Sequence, residues 1–198
     1  MTRTAEIART TNETDVRLAL ALDGAGRGER ATGVGFLDHM LDLLARHARL
    51  DLDVSVTGDL QTGAHHTAED TGLALGQALD EALGDRAGIF RYGHAVVPMD
   101  EARASCAIDV SGRPLLVFAA GGLPPGVTGG FDHELVEEFF RAVVTNARLT
   151  VHLTLEAGTN AHHMIEALFK AFARALRAAI ALDPTESGVP STKGTLTA

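Results

Sequence analysis

The sequence predicts an α+β fold of two pseudo-symmetric halves, each reading strand–strand–helix–strand–helix. Three observations predict it. The pattern His-His-x-x-Glu occurs twice, as His65-His66-Thr67-Ala68-Glu69 and His162-His163-Met164-Ile165-Glu166. The stretch His47-Ala48-Arg49-Leu50 returns as Asn146-Ala147-Arg148-Leu149, an offset of 99 from position 47 to position 146, against 97 from position 65 to position 162. Within each half, segments of period two alternate with segments of helical spacing. The repeats divide one domain, residues 1–198, at about residues 1–90 and 91–198.

Glu6 to Arg9 and Asp15 to Leu22 read as strands, with Val16, Leu18, Leu20 and Leu22 on one face. Asp23 to Gly28 is a turn. Phe36 to His47 is a helix, because Leu37, Met40, Leu41 and Leu44 follow its spacing. Leu52 to Val56 alternates as a strand, and Gly58-Asp59 and Thr62-Gly63 punctuate a loop. A helix then runs from His65 to Leu83, stopped by Gly84-Asp85. In the second half, Ala104 to Val110 and Leu115 to Ala119 are strands joined by the turn Ser111-Gly112-Arg113-Pro114. The Gly121–Gly126 stretch, with two prolines, is neither helix nor central strand. Asp132 to Thr145 reads as a helix with Leu135, Val136, Phe139, Phe140 and Val143 inward. Leu149 to Leu155 is a strand, a helix spans Ala161 to Ala181, and Asp183-Pro184 ends it. Ser187 to Ala198 is loop.

The 198 residues are 45% hydrophobic and 22% charged, an ordinary globular balance. A formal charge of −9 argues against non-specific nucleic-acid binding, so an anionic ligand would need a local basic pocket. One cysteine, Cys106, rules out an internal disulfide. It reads as a small buried hydrophobe and fits a reducing, cytoplasmic setting. The N-terminus lacks a signal-peptide run, and charge interrupts every apolar stretch short of a membrane span.

If each doubled-histidine copy opens a helix, its first His and its Glu share a face and the middle His projects about 100° away. Each copy then offers a His/Glu pair to one ion and a lone His to another. Imidazole and carboxylate donors without thiolate suit Mn, Fe, Co, Ni or Zn. Carrying the 99-residue offset back places His39 opposite Glu138. His39, His65, His66, Glu69, Glu138, His162, His163 and Glu166 could thus supply two sites with positions left for substrate. The blander reading is polar caps and solvated helix faces; the duplication weighs against it. His47, eight residues after His39, suits a substrate contact or a supporting role. His94 and His152 read as ordinary strand or turn residues, and His133 as facing solvent. Arg91, Arg113 and Ser191-Thr192-Lys193-Gly194 sit in loop contexts that suit a phosphate, although a flexible tail looks the same. Glu13 is a turn carboxylate with nothing local to make it catalytic. Two rivals stand beside a metalloenzyme of this kind: a non-catalytic metal-binding helical protein, and a metal-dependent phosphate-ester hydrolase.

Seven stretches in order resemble the imidazoleglycerol-phosphate dehydratase family over nearly the whole chain. They are Asn12-Glu13-Thr14, the run from Gly35 to Leu41, His65 to Asp70, Asp100-Glu101-Ala102, Asp109 to Pro114, His162 to Ala171, and Ser191 to Gly194. The resemblance implies helices packed between two mixed β-sheets, like domain 2 of ribosomal protein S5. It implies dehydration of D-erythro-imidazole-glycerol phosphate to imidazole-acetol phosphate in histidine biosynthesis, through an imidazolate held by two Mn²⁺ ions per active site. It also implies a homo-oligomer of 24 subunits with sites between subunits; the charge and the interrupted apolar stretches already leave nucleic acid and membrane out as partners. As metal ligands it implies His39, His65, His66, Glu69, His162, His163 and Glu166, with Glu138 standing where many members have His. As substrate contacts it implies Glu13, His39, His47, His65, His66, Glu69, Arg91, Arg113, His162, His163, Glu166, Lys170, Ser191, Thr192 and Lys193. Glu13, Glu69 and Glu166 are the catalytic carboxylates on this reading, Glu13 moving the proton. Members often carry Asp before the first His-His pair, where this chain has Gly63-Ala64, so a supporting partner for a histidine is expected to be missing.

Overall fold

A computed structural model describes residues 3–196. The first half comprises β1 (Thr4–Thr10), β2 (Thr14–Ala21), β3 (Arg30–Ala31), α1 (Gly35–Ala48), β4 (Asp51–Gly58), a single 3₁₀ turn at Leu60–Thr62 and α2 (His65–Leu83). The second comprises β5 (Tyr92–Met99), β6 (Ala102–Asp109), β7 (Leu115–Ala119), the short pair β8 (Val127–Thr128) and β9 (Phe131–Asp132), α3 (Leu135–Ala147), β10 (Thr150–Ala157) and α4 (Ala161–Ile180). Each half builds a four-stranded sheet of the same order, β1-β2-β4-β3 and β5-β6-β10-β7. In both, the first two pairings are antiparallel and the last is parallel.

Each half therefore places three strands of its four-stranded sheet before its first helix, one more than the sequence pattern indicated, and the second half adds the β8–β9 pair. β3 is two residues long and too short to alternate. β5 escapes the pattern because both of its faces are largely apolar, with Tyr92 and Val96 outward and Ala95, Val97 and Met99 inward. Its inward face begins at Gly93, where a Cβ would lie 2.0 Å from the Ala175 carbonyl of α4.

α2 packs on the first sheet and against α3, while α4 packs on the second sheet and against α1. The helices thus fill the space between the sheets, and each half's second helix faces the other half's first. Leu37, Met40, Leu41 and Leu44 of α1 and Phe139, Phe140 and Val143 of α3 are fully buried, each such side chain contributing roughly 1.5–3 kcal/mol. Gly72 and Gly76 let α2 approach α3 closely: a Cβ on Gly76 would lie 2.6 Å from the Val143 carbonyl. α4 instead carries Phe169, which packs on Phe140 with ring centroids 4.6 Å apart.

The repeated Ala-Arg-Leu is a shared helix terminus. Arg49 after α1 and Arg148 after α3 both adopt the left-handed conformation, φ 61° and 55°, and turn their backbone N–H groups back onto the last carbonyls. One local expectation fails. The helix read from Asp132 begins at Leu135, because Phe131-Asp132 pairs with Val127-Thr128. His133, expected to face solvent, is instead buried. Its Nδ1 donates to the Pro124 carbonyl at 2.8 Å and its Nε2 lies 2.9 Å from the Thr128 hydroxyl, so both ring nitrogens are used in holding the glycine-rich loop. Among the described residues, no helix is long and apolar enough to cross a membrane.

Candidate active site

The second doubled histidine is drawn together. Asn160 caps α4 by accepting from the backbone N–H groups of His162 and His163 at 2.9 and 3.4 Å. One turn in, Glu166 is buried, and its Oε1 accepts from His162 Nε2 and from His39 Nε2 of α1, both at 2.9 Å. Its Oε2 accepts from Lys170. Burial would push this carboxyl up, but the hydrogen bonds from Lys170, His39 and His162 outweigh it and hold the pKa at about 2. The donor atoms of His39, His162 and Glu166 lie within 4.8 Å of one another, close enough to hold a metal ion. The Phe36 ring walls the group, edge-on to His162 at 5.1 Å.

His163 points away from that cluster, as its place on the helix requires. Its Nδ1 donates to Glu101 Oε2 at 2.8 Å. The other oxygen of Glu101 accepts the backbone N–H groups of Thr159 and Asn160, at 3.1 and 2.8 Å. The bond from His163, with those two N–H groups, keeps Glu101 strongly ionised, and the same bond raises the pKa of His163. With Nδ1 so committed, Nε2 is the atom His163 presents outward. Sequence reasoning gave Glu101 no role: the β5–β6 turn brings it to a histidine 62 residues away.

The first copy is looser. No side chain caps α2. His65 Nε2 lies 3.8 Å from Glu69 Oε2, beyond hydrogen-bond range. His66 Nδ1 donates to Asp59 at 3.0 Å, and that bond raises its pKa. Asp59 thus supplies the partner that Gly63-Ala64 was expected to leave missing, from the loop seven residues upstream. His66 Nε2 stands 3.6 Å from Glu13 Oε1. Glu13 occupies the β1–β2 turn as Glu101 occupies the β5–β6 turn, so the fold sets the two carboxylates in equivalent places. Glu138, half-buried on α3, belongs to no three-ligand group among the described residues.

The other basic residues lie along α4 and beyond its end. His47, half-buried, lines a cleft of about 530 Å³ with His94, Lys170 and Arg174. Burial, then the charges of Lys170 and Arg174, lower its pKa. Arg91 grips Asp109 through Nε and Nη2 at 2.7 and 3.1 Å, and its Nη1 donates to the Pro190 carbonyl at 2.9 Å. Arg113 is largely exposed, 3.7 Å from Asp109. Ser191 and Gly194 close a turn, N–H to carbonyl 3.0 Å, that holds Thr192 and Lys193 outward. This group sits where α4 ends, since the Arg91 N–H donates to the Ala179 carbonyl. From His162 to Ala179 the helix covers about 26 Å at 1.5 Å per residue. Within one chain, the histidines and the phosphate-type residues therefore occupy opposite ends. A hollow of about 630 Å³ on the outer face of the first sheet lies among Glu6, Arg17, Glu29 and Asp53 and holds none of these groups.

The chain is similar to known proteins over nearly its whole length. Residues 32–176 match the family model for imidazoleglycerol-phosphate dehydratase. The imidazoleglycerol-phosphate dehydratase of Symbiobacterium thermophilum is 59% identical over 98% of this chain and 93% of its own length. That of Granulibacter bethesdensis is 58% identical over 99% and 100%. Among solved structures, the Staphylococcus aureus enzyme superposes with a TM-score of 0.83 at 44% identity, covering 91% of this chain and 99% of its own. The Pyrococcus furiosus enzyme, solved in complex with (S)-C348, gives 0.82 at 36% identity, covering 96% and 100%.

Proposed function

Because the chain belongs to the imidazoleglycerol-phosphate dehydratase family of hydro-lyases, we propose that two Mn²⁺ ions at its helix-end histidines and carboxylates serve the dehydration of D-erythro-imidazole-glycerol phosphate to imidazole-acetol phosphate. The convergence of His39, His162 and Glu166 carries the reading. Nitrogen and carboxylate oxygen without thiolate fit a divalent ion from manganese to zinc, and the carboxylate share of the donor set favours the harder end. Once bound, the ions supply positive charge at the substrate ring and a template for it.

The chain's own groups do the rest. Glu166 stays ionised, with Lys170 balancing its second oxygen. Glu101 and Asp59 hold the Nδ1 protons of His163 and His66, which leaves each Nε2 to face a ligand. His65, Glu69 and Glu138 complete the metal-ligand set on the side of the first copy. Glu13 removes the carbon-bound proton, with Glu69 and Glu166 as the other catalytic carboxylates. Lys170 and His47 line the substrate's path, and Arg91, Arg113, Ser191, Thr192 and Lys193 hold its phosphate. A short glycerol chain joins ring to phosphate, so it cannot bridge the length of α4. A complete site joins the histidine end of one chain to the tail end of another in a homo-oligomer, with 24 subunits by the family resemblance. A cytoplasmic location keeps Cys106 reduced.

The test is turnover of imidazole-glycerol phosphate by the Mn²⁺-loaded protein, abolished by a chelator and restored by Mn²⁺. Release of inorganic phosphate would mark a hydrolase, and metal binding without turnover a storage protein. Full activity after every cation is removed would overturn the metal role.

A further inference from the structure

The structure assigns Arg86 as the residue that positions the carboxy-terminal phosphate cradle; the inference rests on the reading of Ser191, Thr192 and Lys193 as phosphate ligands. Arg86 is a fully buried charged residue. Its Nη1 donates to the Leu196 carbonyl at 2.6 Å, and its Nη2 donates to Asp80 and to the Ala147 carbonyl, the latter at 3.2 Å. Asp80 and Ala147 alone would tie the end of α2 to the end of α3. The remaining arm of the guanidinium reaches a residue 110 positions further on, in the tail.

Leu196 is itself buried, and its carbonyl lies so close to Gly112 that a Cβ there would be 1.8 Å away. Gly112, at φ +74°, belongs to the turn that carries Arg113. One carbonyl is therefore held between Arg86 and the Arg113 turn. The 86–91 segment grips the tail at two earlier points as well. The Gly88 N–H donates to the Gly188 carbonyl at 2.8 Å, and Arg91 Nη1 to that of Pro190 at 2.9 Å. The Ser191–Gly194 turn is thus pinned on both sides, at Pro190 and at Leu196. Pinning removes part of the ordering entropy that a loop loses on closing around an anion. Releasing one pin weakens substrate binding and leaves the chemistry at the histidines, which the neighbouring chain supplies, unchanged, so KM moves and kcat does not.

Two substitutions in the full chain and one shortened chain test this. Arg86→Lys keeps a cation for Asp80 but lacks the fork that reaches several acceptors at once. A chain ending at Thr195 removes the Leu196 acceptor and leaves Arg86 intact. Asp80→Asn is the control, weakening the part-buried ion pair while sparing the tail contact. The first two should raise KM about tenfold, as expected for one lost charge-assisted hydrogen bond, with kcat within about twofold. Trypsin should cut after Lys193 faster in both. Asp80→Asn should lower Tm without moving KM or that cleavage rate. Unaltered cleavage and KM in the folded, shortened chain would overturn the assignment. Faster cleavage with an unmoved KM would keep Arg86 as the tail's anchor and refute the phosphate reading instead.

Discussion

The two His-His-x-x-Glu copies open equivalent helices on equivalent sheets, yet one is assembled and the other stands apart. At α4, Asn160 and Glu101 secure the first turn, and His39 reaches over from α1 to share Glu166 with His162. At α2 there is no side-chain cap, and His65 remains 3.8 Å from Glu69. The first helix of each half also differs at one equivalent position. α1 offers a histidine, whereas α3 offers Glu138 in the equivalent place. An imidazole N–H can donate to a carboxylate. A second carboxylate cannot, and two anions repel until a cation lies between them. The second copy is held together by hydrogen bonds to Glu166; the first has no such gathering carboxylate.

The contrast can be broken most sharply at Glu166. Glu166→Gln removes the anion that gathers His39, His162 and Lys170, so turnover should fall more than about 100-fold. The Tm of the metal-free protein should fall with it. Glu69→Gln should also cost turnover but leave the metal-free Tm in place. Equal Tm losses in the two variants would erase the distinction between an assembled and a looser half. Next in size are the supporting carboxylates. Glu101→Gln and Asp59→Asn should each weaken metal binding about 10–100-fold, as measured by calorimetry. Only the former should destabilise the metal-free protein, because Glu101 alone also accepts helix-start N–H groups.

Glu138→His would sharpen the comparison by giving the first copy the partner that the second already has. Its ion should bind about tenfold more tightly, on the scale of one improved ligand contact. An unchanged affinity would show that Glu138 is not what keeps that copy open. The smallest effect is on acid stability. The Glu166 carboxyl is lowered from 4.5 to about 2 in the folded chain, so its stabilising contribution is complete above pH 4.5 and drains away as pH falls toward 2. Metal-free Tm should therefore drop over that window, and by less in Glu166→Gln. Parallel curves for the two proteins would remove this carboxylate from the account of acid lability.

The helices were legible because their apolar spacing is a local property. Leu37, Met40, Leu41 and Leu44 line one stripe, and all four prove buried. The pairing of His39 with the second copy was not legible, since its partners lie more than a hundred residues away on another helix. β5 was missed because neither of its faces is polar, and Gly93 marks a close approach to α4 that only packing reveals. Gly63-Ala64 pointed to a missing partner, yet Asp59 fills the role because the 3₁₀ turn folds it back onto His66.

By itself the sequence determined the doubled His-His-x-x-Glu motif, the donor atoms it carries and the alternation that makes an α+β chain, because all three are written in residue type and short-range spacing. Only the tertiary structure decided which carboxylate orients which histidine, that Arg86 reaches the tail, and that histidines and phosphate-type residues stand at opposite ends of α4. Those depend on strand register and on how helices from different halves pack, which no local window of residues contains.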